Sequence, residues 1–143
     1  MNREIQILRA VSLEADAFRD DAQGLGKRIA GAITGSRGRA QLTGLESIAN
    51  SSLKVSDVLD YVKKQTGRLR EWQSDRCGFE LLDYLETKLR TRRDTVVAGL
   101  QPKPTPQEKQ STEQHVHLLL IREFVRQLVV QAEFSRATET QRR

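Results

Sequence analysis

Apolar residues in the first part of the chain recur at alternating spacings of three and four. Val11, Phe18, Leu25 and Ala32 form one series, and Leu8, Ala15, Ala22 and Ile29 form its partner. That spacing keeps every member on one side of a helix, as in a coiled-coil seam. The seam runs through Gly24, Gly26 and Gly31, each of which weakens a helix by roughly 1 kcal/mol relative to alanine. Register that survives these glycines predicts one helix over residues 3–34, about 50 Å long at ~1.5 Å per residue. A break near Gly24 is the alternative. The glycines and alanines toward its end would let another helix approach closely.

Residues 35–39 carry strong turn chemistry, Gly-Ser-Arg-Gly-Arg, and should end that helix. A second helical stretch is expected over 41–50, with Leu42, Leu45 and Ile48 on one side. Ser56 followed by Asp57 reads as an N-cap with an acidic first turn. Val58, Leu59, Tyr61 and Val62 give the helix after it an apolar side, and Thr66-Gly67 a stop. A longer helix is expected over 69–100, where Leu69, Trp72, Phe79, Leu82, Leu85, Leu89 and Val96 recur at helical spacing. Ser74-Asp75 and Gly78 are places where its first two turns could split away.

All three prolines fall in residues 101–110, which reads as a semi-rigid linker. Ser111 with Gln114 matches a capping box opening the last helix, expected to run to residue 136 before a frayed tail over 137–143. That helix is apolar around much of its girth. One stripe holds Val116, Leu119, Leu120, Phe124 and Leu128. The adjoining stripe, with Leu118, Ile121, Val125 and Val129, is expected to face a protein partner. No segment alternates as a strand does, and no repeat is evident. The prediction is a single all-α domain over 1–143, an antiparallel bundle of about four to six helices with a long N-terminal helix.

Composition adds a charge. The chain of 143 residues has 24 Lys and Arg against 19 Asp and Glu, a net charge of +5. This moderate excess favours acidic partners such as nucleic acid. No window approaches the ~18 apolar residues of a membrane span, and the first residues, Met1 to Ile5, lack a signal-peptide apolar block. The lone cysteine, Cys77, excludes an internal disulfide. A cytoplasmic protein is the expectation.

Candidate chemistry is sparse. Gly24-Leu25-Gly26-Lys27 resembles part of a phosphate loop, but Arg28 stands where Ser or Thr is needed and a helical seam runs through it. On a helix, His115 and His117 point about 200° apart, so they do not form a metal pair. Glu113 and His117 could share a face, yet two ligands do not close a site. Cys77, between Trp72 and Phe79, reads as a small buried hydrophobe. Asp20-Asp21, Asp57/Asp60 and Asp83/Glu86 read as polar helix faces forming ion pairs. No hydrolase or metalloprotease motif occurs. The expectation is no enzyme, no metal and no cofactor.

The basic residues form three clusters. Lys27, Arg28, Arg37 and Arg39 surround the glycine-rich corner; Lys63, Lys64, Arg68 and Arg70 straddle the next turn; Lys88, Arg90, Arg92 and Arg93 form the densest run. Lys88 and Arg92 share a helical face and could follow successive phosphates. Aromatic content of 5% argues against base stacking, leaving RNA or DNA backbone as the expected contact. The function expected is that of a non-catalytic small helical subunit in a multi-protein, nucleic-acid-containing complex. The small helical subunits of RNA-guided effectors offer an architectural analogy that no motif carries. The alternative is a protein–protein adaptor or homodimeric scaffold without nucleic acid.

Overall fold

Asn2 opens the first helix, its Oδ1 accepting from the backbone N–H groups of Glu4 and Ile5 at 2.7 and 3.4 Å. In the computed structural model residues 2–33 and 36–142 are described, apart from the side chains of 36, 37 and 139–142. Helix α1 (Arg3–Ala17) is followed by α2 (Arg19–Ala32), with a bend at Phe18, where φ is −96° and ψ is 6°. The expected single helix is therefore two, and the break lies at Phe18 rather than Gly24. Thr34 and Gly35 lie outside the described residues. Phe18 is fully buried, with its ring edge-on to Phe124 at 5.4 Å. The bend turns α2 onto the last helix, α8 (Pro106–Arg142), in the most extensive helix–helix contact of the fold. Ile7, Val11, Ala15, Phe18, Ala22, Leu25, Ile29 and Ile33 make the buried seam. Leu8, expected on that seam, is 48% exposed, because Ile7 occupies the core position.

Helix α3 (Ser36–Ser51) starts earlier than the 41–50 stretch, taking in residues 36–39 of the expected turn. Its C-terminal carbonyls are met by Arg122, which donates to the Ala49 and Ser52 oxygens at 3.0 and 3.1 Å. Helix α4 (Val55–Arg68) begins one residue before Ser56. The Val55 N–H donates to Gln114 Oε1 at 2.7 Å, so a side chain of α8 takes the place of the expected serine cap. Gly67 lies inside the last turn and does not end the helix.

The expected 69–100 helix is segmented into α5 (Arg70–Gln73), a tight turn at Ser74–Arg76, α6 (Cys77–Asp83), a π-helical turn at Tyr84–Lys88, and α7 (Leu89–Ala98). The split at Ser74-Asp75 falls where the sequence allowed it. Asp75 and Arg76 both take positive φ, 52° and 57°. The following loop is fastened to α1: Gln6 Nε2 donates to the Gln101 carbonyl at 2.7 Å, and the Gln101 N–H donates to Gln6 Oε1 at 3.0 Å.

The last helix opens at Pro106, not Ser111. Thr105 Oγ1 accepts from the Glu108 N–H, and Glu108 Oε1 accepts from the Thr105 N–H at 3.0 Å. This is a capping box with proline at the first helical position. Only residues 99–105 link α7 to α8, and the backbone expected to fray stays helical through Arg142. Helix α8 is central, with α2, α3, α7 and α1 packed around it. Leu118, Ile121, Val125 and Val129 are 6%, 0%, 1% and 1% exposed. The stripe assigned to a partner is therefore core, because neighbours cover α8 on more than one side. Glu4 meets His115 and Gln127 reaches the Ala15 carbonyl, so α1 runs alongside α8 in the same direction. Gly38 near Arg136 and Ala49 at Arg122 show α3 running the opposite way.

Candidate nucleic-acid interface

The densest basic run is mostly committed within the fold. Arg92 Nη1 bonds Glu14 Oε2 at 2.6 Å, and its guanidinium lies 5.7 Å from the Phe18 ring centroid. Arg93 bonds Asp94 at 2.8 Å and approaches Glu113 at 3.7 Å. Arg90 faces Glu86 at 3.9 Å, and the Lys88 ammonium sits 5.3 Å from the Tyr84 ring centroid. Arg92 and Arg93 thereby tie α7 to α1 and α8. Lys88 and Arg90 alone of this cluster are exposed.

The first cluster divides. Arg28 donates to Asp75 Oδ2 at 2.9 Å and to the Asp75 carbonyl at 2.6 Å, and it pairs with Glu80. Those bonds, to Glu80 first and Asp75 next, hold its charge more firmly than usual. They also brace the left-handed turn, where each non-glycine residue costs about 1–2 kcal/mol. Lys27 and Arg39 are exposed and have no ion pair among the described residues. The Arg37 side chain lies outside the described residues.

The second cluster stays open. Lys63, Lys64, Arg68 and Arg70 are all exposed, with no ion pair among the described residues. Their elements are fixed by polar and aromatic contacts behind them. Trp72 Nε1 donates to Gln41 Oε1 at 2.7 Å, and the Tyr61 and Trp72 rings meet edge-on at 6.5 Å. Gln73 Nε2 donates to the Thr66 carbonyl at 2.9 Å, closing the α4–α5 corner. The start of α3, with Arg39, therefore lies at the same end of the bundle as the end of α4 and α5. Arg68, in the last turn of α4, also complements the negative end of its dipole, worth about 0.3–1 kcal/mol at a surface.

Sequence reasoning missed Arg76, which is exposed at this end and lies 5.0 Å from the Phe79 ring centroid. Its neighbours Ser74-Asp75 signalled a turn, but nothing local announced two successive positive φ angles. A cleft of about 710 Å³ lies beside it, between α2 and the α6–π-turn segment. Asp20, Asp21, Glu80 and Asp83 line it against Arg28, Arg76 and Lys88, a balance unsuited to phosphate. Tyr84 donates to Asp21 there at 2.7 Å; burial, then that bond, pushes its hydroxyl up to about 12.

No known protein family, curated protein or solved structure matches this chain.

The histidines diverge as helical geometry requires. His115 Nε2 lies 3.0 Å from Glu4 Oε1 at the surface, whereas His117 is buried on the Leu85 carbonyl at 2.8 Å. Among the described residues no three His, Cys, Asp or Glu side chains come together as a metal-holding group. Cys77 is 2% exposed, and burial pushes its thiol up, away from the reactive thiolate. No described helix is long and apolar enough to cross a membrane.

Proposed function

We propose that this chain is a non-catalytic helical subunit of a nucleic-acid-containing assembly. It contacts the phosphate backbone through the end of the bundle that carries Arg39, Lys63, Lys64, Arg68 and Arg70. The observation that supports this reading is their availability. Of the twelve basic candidates Arg28, Arg92 and Arg93 serve internal ion pairs, Lys27 and Lys88 are exposed without one but stand on α2 and the π-helical turn, and those five are exposed without one among the described residues and lie together at one end. Phosphate contact needs charge that is not already neutralised. Rigid support behind the cations keeps the cost of ordering them low.

The test is binding to duplex and single-stranded DNA and RNA across a salt series. Each phosphate neutralised contributes about 0.7–0.9 to the slope of log K against log salt. K63Q/K64Q/R68Q/R70Q is expected to flatten the slope by about 3, while K88Q/R90Q changes it little. Absence of retention even at low salt, or equal loss in both variants, would overturn the proposal.

A further inference from the structure

Along α8, Leu119, Glu123, Arg126, Val130 and Phe134 fall within an arc of about 80° at ~100° per residue. This is the side of α8 its neighbours leave least covered. Val130 and Phe134 are 57% and 66% exposed, and between them and Leu119 the Arg126 guanidinium donates to Glu123 Oε2 at 2.7 Å within the chain, the two side chains being 56% and 35% exposed. The stripe changes relief along its length. Around Leu119 it lines a groove of about 340 Å³, in which Leu8 and Val11 of α1 stand with Glu46 and Asn50 of α3 and with Arg122, Glu123 and Arg126 of α8; Leu8 is 48% exposed. Toward Val130 and Phe134 it carries projecting apolar side chains.

The order of residues is self-complementary. Reading Leu119, Glu123, Arg126, Val130 gives apolar, acidic, basic, apolar at spacings of four, three and four, and reversing the order exchanges the charges. A two-fold axis across α8 between residues 124 and 125 brings the Glu123–Arg126 pair of each copy against that of the other, so that each carboxylate also faces the other copy's guanidinium. The same operation sets the Val130 projection of each copy over the Leu119 groove of the other. The order of apolar and charged residues is therefore compatible with its own copy under one symmetry operation, as an isologous contact demands. We propose that a second copy of this chain docks on this stripe, α8 against α8 and antiparallel. This surface is separate from the basic end, so the proposal does not depend on nucleic-acid binding.

The experiment is sedimentation equilibrium of the full chain over a wide concentration range, with circular dichroism confirming that each variant is folded. A reversible monomer–dimer equilibrium is expected. V130E is expected to raise the dissociation constant at least about tenfold. E123R and R126E, each alone, are expected to weaken the dimer severalfold by opposing like charges, and E123R/R126E to restore it. A monomer at every concentration would overturn the proposal. So would a dimer indifferent to V130E, or a double variant as weak as the single ones.

Discussion

Between the π-helical turn and α8, His117 donates its Nε2 proton to the Leu85 carbonyl while 4% exposed. Burial holds its pKa below the ordinary value of 6.5. A lowered folded-state pKa means the unfolded chain takes up the proton first. The contribution of neutral His117 is then complete above about pH 6.5 and declines as pH falls through that value toward the folded pKa. His117→Leu leaves the Leu85 oxygen without this partner, at a cost of about 1–3 kcal/mol near pH 8. In urea unfolding the gap between wild type and variant should narrow from pH 8 to pH 5; a gap independent of pH refutes the linkage. Two glycines make an opposite pair. A Cβ on Gly26 would lie 2.6 Å from the Leu128 carbonyl oxygen, whereas one on Gly24 meets nothing within 4 Å. Gly26→Ala is expected to destabilise by about 1–3 kcal/mol. Gly24→Ala should stabilise by about 0.5–1 kcal/mol, and thermal melts compare them directly.

Helix ends in this fold are decided locally in some places and remotely in others. The α8 start is local: Thr105-Pro106-Gln107-Glu108 is itself a capping box, legible in the sequence but overshadowed by the proline run and by Ser111-Gln114. Thr105→Ala is expected to cost about 1 kcal/mol, and Ser111→Ala less, since Ser111 Oγ only donates to the Glu108 carbonyl. Chemical denaturation of both variants ranks them, and the reverse order would return the cap to Ser111. The α3–α4 corner is remote. Arg122 meets the end of α3 and Gln114 the start of α4, each from more than fifty residues away, so no local motif at Ser56 could reveal it. Arg122→Ala is expected to destabilise by about 1–3 kcal/mol through carbonyls left unpaired, measured as a lower urea midpoint.

Across the bundle, the basic end and the α8 stripe are distinct surfaces. V130E should therefore leave the salt slope of nucleic-acid binding per chain unchanged, and a parallel loss would tie the two activities together. The 3–4 apolar spacing was enough to specify helices and a seam from Val11 to Ile29, and the geometry of a helix alone separated His115 from His117. Burial of that seam depends on periodicity, a property that neighbouring residues share. Which cations stay free depends instead on carboxylates brought from distant segments, as Glu14 is to Arg92 and Asp75 and Glu80 are to Arg28. In the same way, Leu118, Ile121, Val125 and Val129 looked like surplus apolar surface because a single helix cannot show how many others will surround it. The sequence carries the elements and their apolar sides through local periodicity. Only packing between remote segments decides which side becomes core, which charge is neutralised and which is left for a partner.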